Sequence, residues 1–263
     1  MGKKAVLFDL DDTLLWDERS VKEAFEATCR AAADETGVDP EELEQSVRTE
    51  ARTLYESYET FPFTKMIGIN PFEALWADFR EGKQEQFQTL RALAPVYRKN
   101  AWTRGLKALG VKKPELGERL AELFPAERRK RAFVYDDTFR VLDRLKGRYR
   151  LLLLTNGSPD LQQEKLDGVP ELVPYFECVV ISGNFGKGKP DSSIFRHCLE
   201  RLEVKPEEAV MVGDKLTTDI IGSLGVGMTA VWLNRHGATR TDEILPTHEI
   251  SNLDELPELL EQL

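Results

Sequence analysis

Val6-Leu7-Phe8-Asp9-Leu10-Asp11-Asp12-Thr13-Leu14-Leu15 is an apolar run that ends in two carboxylates two residues apart, followed by a threonine. The run predicts a buried parallel strand. Asp9 and Asp11 then stand where that strand leaves the sheet, the side on which open α/β folds hold their ligands. Carboxylates at such an edge are costly to bury unless a cation or a proton compensates them. Acidic strand ends occur in metal sites of other kinds too, so the meaning of this one depends on its companions further along the chain.

Three more stretches accompany it. Leu151-Leu152-Leu153-Leu154-Thr155-Asn156-Gly157 predicts a second short buried strand, closed by a hydroxyl residue and a turn. Thr155 at that edge suits a hydrogen bond to a phosphoryl oxygen, or equally a cap on the next helix. In Gly186-Lys187-Gly188-Lys189-Pro190-Asp191, glycines precede a proline that suits the first position of a helix. Lys189 is thereby expected at a helix start facing the same edge, where a cation can hold Asp9 ionised; Lys187 is a rival for that role. Ala209-Val210-Met211-Val212-Gly213-Asp214 predicts a further strand, with Asp219 five residues beyond Asp214. Carboxylates at a strand end suit Mg2+, a hard cation that takes few protein ligands. Asp219 also suits the acidic first turn of a helix.

In this order the four motifs resemble those of the haloacid dehalogenase-like (HAD) hydrolases, in the phosphatase branch. The resemblance spans about half of the chain. It favours Lys189 over Lys187, because the family's lysine directly precedes proline. It implies an α/β fold: a Rossmann-like three-layer core with a parallel sheet, plus an inserted all-α cap domain. It implies Asp9 as nucleophile, forming a phosphoaspartyl intermediate, and Asp11 as general acid and then base. Asp11 must start protonated, so burial and the neighbouring acid are expected to raise its pKa. Thr155, Asn156 and Lys189 are implied to bind the phosphate. Mg2+ is the implied cofactor, held by Asp9, the Asp11 carbonyl and Asp214, with Asp219 behind them. Thr13 is expected to support the loop. In the dehalogenase branch the second motif position is not Asp, since a halide leaves without a proton; Asp11 therefore favours phosphoester chemistry.

The spacing of the motifs sets the domain plan. Intervals of 34 residues from Thr155 to Lys189 and 25 from Lys189 to Asp214 each fit one helix and one strand. The 144 residues from Asp11 to Thr155 do not fit one crossover, so residues 17–135 are expected to form an inserted helical domain on a core of residues 1–16 and 136–263. This layout resembles the HAD subgroup with a helical C1-type cap after the first motif. Asp39-Pro40 predicts a helix start. Further helices are expected over residues 71–79, 87–109 and 114–124. The aromatic stretch Phe61–Phe72, with Lys65, is a candidate specificity loop or, more plainly, part of the cap's own core. Asp136-Asp137 is expected to cap a helix at the hinge, and Arg128-Arg129-Lys130-Arg131 to form a solvated helix end. The insert is nearly neutral at −1, whereas the remainder carries −9.

Composition narrows the class. The 263 residues are 41% hydrophobic, with a net charge of −10 and a pI near 5.1. Such acidity argues against nucleic acid as a partner. No apolar run is long enough to span a bilayer, and Met1-Gly2-Lys3-Lys4 resembles neither a signal peptide nor a myristoylation site. Cys29, Cys178 and Cys198 make no CxxC pair, and His197, His236 and His248 no HExxH motif. The expectation is a cytoplasmic, Mg2+-dependent phosphatase acting on a small phosphorylated metabolite: phosphoserine, a sugar or acylneuraminate phosphate, or a nucleotide. The alternatives are a phosphomutase, a catalytically silent HAD-like binding or regulatory protein, and a response-regulator receiver. The length and the acids on the first strand count against the last of these.

Overall fold

The computed structural model describes residues 2–239 and 243–263; Met1, part of the N-terminal reading, lies outside the described residues. The chain begins with β1 (Ala5–Phe8) and continues through α1 (Asp17–Thr36), α2 (Pro40–Ser57), α3 (Phe61–Ile67), α4 (Pro71–Ala74), α5 (Gln86–Ala108) and α6 (Pro114–Arg129). It then alternates through α7 (Thr138–Leu145), β2 (Arg150–Thr155), α8 (Pro159–Asp167), β3 (Cys178–Ile181), α9 (Ser182–Phe185), α10 (Ser192–Arg201) and β4 (Ala209–Gly213). The last elements are α11 (Ile221–Leu224), β5 (Thr229–Leu233), β6 (His248–Ile250) and α12 (Leu256–Glu261).

The six strands form one sheet in the order β3-β2-β1-β4-β5-β6, and every neighbouring pair is parallel. The expected α/β core is therefore present. A parallel sheet needs both faces covered, and β1, Ala-Val-Leu-Phe, is buried throughout. On one face Leu7, Leu152 and Met211 pack with Ile194, Phe195, Cys198 and Leu199 of α10. Val6 and Phe8 alternate to the other face and are equally buried. Strand order reverses between β1 and β4, which creates a switch-point crevice at their carboxyl ends. Register aligns those ends: Phe8 pairs with Leu153 on one side and Val212 on the other.

The chain divides into two compact units. Described residues within Met1–Trp16, Val134–Asn156 and Val169–Leu263 form the first, and Asp17–Phe133 with Gly157–Gly168 the second. The segment Gly157–Gly168, which the sequence boundaries leave with the core, thus clusters with the helical unit. Buried charge pairs tie it there. Lys165 of α8 lies 3.0 Å from Glu73 and 3.6 Å from Asp17, and Asp17 also pairs with Arg128. Arg129 pairs with Glu164. The basic run at the end of α6 is accordingly not a simple solvated helix end: Arg128 is buried and lies 4.6 Å over the Trp76 ring.

Several local features differ in extent from the sequence expectations. Asp39 caps α2 as expected, accepting from the Glu41 and Glu42 amides. The helix expected to reach Phe79 stops at Ala74; Asn70 and Glu73 form a capping box, and Phe79 takes a left-handed backbone. The aromatic stretch forms α3, whose Phe63 and Ile67 enter the helical unit's core while Lys65 is exposed. Pro190 does not open α10. Asp191 accepts from the Ser193 amide and starts the helix at Ser192.

The centre of the helical unit is aromatic: Phe25 lies 4.5 Å from Phe124 and 5.9 Å from Trp102, centroid to centroid. Close approach of α2 and α5 depends on Gly105, where an added Cβ would fall 2.5 Å from Val47 Cγ2 and 3.0 Å from Val47 Cα. Gly105→Ala is expected to lower stability by about 1–3 kcal/mol through overpacking. A urea titration checks this, and an unchanged midpoint would contradict it.

Candidate active site

The site is assembled at the carboxyl ends of β1, β2 and β4. Asp9 directly follows β1, and its amide donates to the Val212 carbonyl at 3.0 Å, so its position is fixed by the ladder itself. The chain then folds sharply. The amides of Leu14 and Leu15 both donate to the Leu10 carbonyl, and the Asp12 amide donates to that of Leu15. Asp12 adopts φ of 58°, a left-handed conformation that Asp tolerates better than most residues. This tight loop carries Asp11 and the buried Thr13.

Lys189 is almost fully buried and reaches the edge from the segment before α10. Its Nζ lies 2.6 Å from Asp9 and 2.8 Å from Asp219, and it donates to the Leu154 carbonyl at 2.9 Å. Burial alone would lower the lysine's pKa, but Asp219 and Asp9 outweigh it and raise it above the ordinary value. Lys187, the sequence rival, instead pairs with Asp191 at the surface. Asn156 holds Lys189 in place. Its side-chain Nδ2 donates to the Lys189 carbonyl at 3.0 Å, and its Oδ1 accepts from the Lys189 amide at 2.8 Å. The amide side chain is thus committed to Lys189, leaving the backbone N–H as its group for an anion. Thr155, buried at the end of β2, sits on the strand between Leu154 and Asn156.

The third wall comes from β4. Asp214 follows Gly213, and Trp232 of β5 donates to the Asp214 carbonyl at 2.8 Å. A π-helical turn over Leu216–Ile220 returns the chain so that Asp219 lies fully buried beside the strand end. Asp219 Oδ2 accepts from the Lys215 amide at 3.0 Å. One ligand atom from each of Asp9, Asp214 and Asp219 lies within 4.8 Å of the others.

This concentration of acid is electrostatically expensive. Burial holds the Asp214 carboxyl well above the usual carboxylate range; Lys215 opposes this, while Asp9, Asp219 and Asp12 add to it. Burial likewise raises Asp219, against the pull of Lys189. Asp214 Oδ1 is buried without a hydrogen-bond partner. A buried, unpartnered carboxylate oxygen facing two further carboxylates suits a hard divalent cation, so the donor set fits Mg2+. Lys215 is the functional group that the sequence pattern left without a role. Desolvation works against its charge, but Asp214, Asp9, Asp11 and Asp219 together raise its pKa. Its place directly after Asp214 was the available signal.

Comparison with known proteins agrees with this geometry. A family model described as haloacid dehalogenase-like hydrolase matches residues 3–227. The chain belongs to the haloacid dehalogenase-like hydrolases. It is therefore an enzyme of the hydrolase class. Phosphoserine phosphatase of Thermus thermophilus is 37% identical over 96% of this chain and 97% of that one. N-acylneuraminate-9-phosphatase of Mus musculus is 38% identical over 59% of this chain and 62% of that one. Among solved structures, the HAD-hydrolase YfnB of Bacillus subtilis, bound to magnesium, covers 99% of both chains with a TM-score of 0.66 at 23% identity, a likeness of fold.

Two variants test the electrostatics of this HAD site. An added Cβ at Gly213 would lie 2.4 Å from the Asp219 carboxyl carbon. Gly213→Ala is therefore expected to displace Asp219, and a crystal structure of the variant should show its ion pair with Lys189 broken. Lys189→Met leaves Asp9 and Asp219 buried without their cation. It should cost about 3–5 kcal/mol in EDTA, with part of the loss recovered on adding Mg2+; equal stability to wild type in EDTA would refute this account.

Proposed function

We propose that this HAD hydrolase is a Mg2+-dependent phosphatase that cleaves a small-molecule phosphate monoester through a phosphoaspartyl intermediate. The observation that carries this reading is the buried ion pair of Asp9 with Lys189, 2.6 Å apart at the sheet edge beside Asp214 and Asp219. A carboxylate nucleophile and a phosphate dianion repel one another, and preorganised positive charge removes that barrier. Asp9, Asp214 and the Asp11 carbonyl would hold Mg2+, supported by Asp219. When bound, the ion neutralises the approaching phosphate.

In the first half-reaction an Asp9 carboxylate oxygen forms a bond to phosphorus as the bond to the leaving oxygen breaks. Asp11, protonated, gives its proton to that leaving oxygen. In the second, water attacks the phosphoaspartyl phosphorus while Asp11 takes the water's proton; the Asp9–phosphorus bond breaks, and inorganic phosphate departs. Lys189, Thr155 and the backbone amide of Asn156 bind the non-bridging oxygens throughout. Asp219 keeps Lys189 in place. Asp11 is the residue that favours this over carbon–halogen cleavage, because an alkoxide needs a proton and a halide does not.

The full-length similarity to a phosphoserine phosphatase supports phosphoserine as the first member of a substrate panel, followed by acylneuraminate and sugar phosphates and nucleotides. Among the described residues no helix is long and apolar enough to cross a membrane.

Mg2+-dependent phosphate release from such a panel is the expected result. Asp9→Asn should lower kcat by at least about 10³-fold with folding intact. Asp11→Asn should lose about 10²–10⁴-fold on alkyl phosphates, and less on 4-nitrophenyl phosphate, whose leaving group needs no proton. Asp214→Ala should raise the Mg2+ concentration required for half-maximal activity. Unimpaired turnover by Asp9→Asn would refute the mechanism.

A further inference from the structure

Arg235, in the loop after β5, lies outside all four motifs. Its guanidinium is nonetheless committed to the loop that carries Asp11. Nη2 donates to the Thr13 carbonyl at 3.0 Å. Nη1 and Nη2 donate to the two carboxylate oxygens of Asp137 at 2.8 and 2.9 Å. Both partners in this pair are mostly shielded, with side-chain exposures of 11% and 8%. The guanidinium carbon lies 3.8 Å over the ring of Tyr135, and Tyr135 stacks on Trp16 with centroids 5.1 Å apart and planes 17° from parallel.

Asp137 stands at the start of α7, yet its side chain makes no capping bond to that helix. Its carboxylate instead accepts from Arg235 and from the Leu253 amide at 2.9 Å. The hinge-capping role expected for Asp136-Asp137 is thus replaced, at Asp137, by a charge clamp. The neighbouring segment completes it: the Tyr135 amide and the Thr138 hydroxyl both donate to the Leu14 carbonyl, at 3.3 and 2.8 Å, and Leu15 bridges Val134. Two consecutive carbonyls of the Asp11 loop, those of Thr13 and Leu14, are therefore held from outside the loop.

We propose that Arg235 is a positioning residue for the acid–base step: through Thr13, and braced by Asp137 and Tyr135, it fixes the loop that sets where Asp11 points. This rests on the phosphatase reading for its kinetic consequence, but not for its structural one. The geometry calls for arginine specifically. A planar fork bonds Asp137 bidentately, reaches a carbonyl and stacks on an aromatic face at once; a lysine ammonium cannot do all three. Asp9, fixed by the β1–β4 ladder, does not depend on the clamp, so nucleophile and acid–base group are held by separate devices.

The test uses the full chain with Arg235→Gln and the milder Arg235→Lys. Amide hydrogen exchange at residues 12–15 should quicken in both variants, more in Gln than in Lys, while exchange in β1 stays as in wild type. For turnover, kcat on an alkyl phosphate should fall by about 10–10²-fold, as misplacement of a reacting group by a fraction of an ångström to 1 Å does. The fall on 4-nitrophenyl phosphate should be several times smaller, and KM should change little. A purely structural role would slow both substrates equally. Unchanged exchange at residues 12–15, or equal losses on the two substrates, overturns the proposal. If wild type hydrolyses neither substrate, the phosphatase reading fails, and the exchange result still decides whether Arg235 holds the loop.

Discussion

The structure depends on how a largely buried sheet edge tolerates more negative than positive charge. Asp9, Asp214 and Asp219 converge within one ion's reach, and Lys189 is the buried cation among them. Three carboxylates around one ammonium are stable in water and costly out of it. The raised pKa values of Asp214 and Asp219 express that cost. Each nearby device serves to hold this arrangement. Asn156 clasps the backbone of Lys189 from both sides, the π-helical turn brings Asp219 back to the strand it has just left, and Gly213 leaves room for its carboxyl group.

This explains why the fold and the site are inseparable. A parallel sheet delivers several strand ends to one edge, in a register fixed by hydrophobic pairing rather than by the charges themselves. The apolar residues of β1, β2 and β4 supply the stability that lets the acids stand where solvation alone would not put them. The helical unit solves a similar problem differently. There Lys165, Glu73 and Arg128 are also buried, but they and the partly buried Asp17 form matched pairs, so these four leave no surplus charge to attract an ion.

The same distinction separates the features legible in the sequence from those that were not. Apolar runs and the residues that directly terminate them are local patterns, so the strands and the positions of Asp9, Asp11, Thr155 and Asp214 at their ends are legible in order, and the resemblance singles out Lys189 through its place before proline. Long-range pairings are not. Nothing local to Arg235 announces Asp137, 98 residues away, and nothing local to α8 announces that Lys165 pairs with Glu73, 92 residues away. Local competition misled in other places. Pro190 fits a helix start, but Asp191 is the better cap and took the role. The aromatic periodicity around Trp76 suggested a longer helix, but the backbone turns left-handed at Phe79.

The charge balance also bears on which chemistry the edge favours. With Asp9, Asp214 and Asp219 ionised, as a bound cation would leave them, these three and Lys189 and Lys215 sum to one negative charge. In the proposed mechanism a divalent ion would carry this sum to a single positive charge, and a phosphate dianion would return it to a single negative one. A site so arranged gains most from a substrate that brings two negative charges to the ion. A haloacid carries one, on a carboxylate away from the carbon under attack, and its halide departs without a proton. In the proposed mechanism Asp11, held by its own loop beside an Asp9 fixed by the ladder, would then have no leaving group to protonate. On the proposed mechanism, the combination of surplus acid, two lysines and a separately anchored Asp11 would suit a dianionic ester whose leaving group must be protonated.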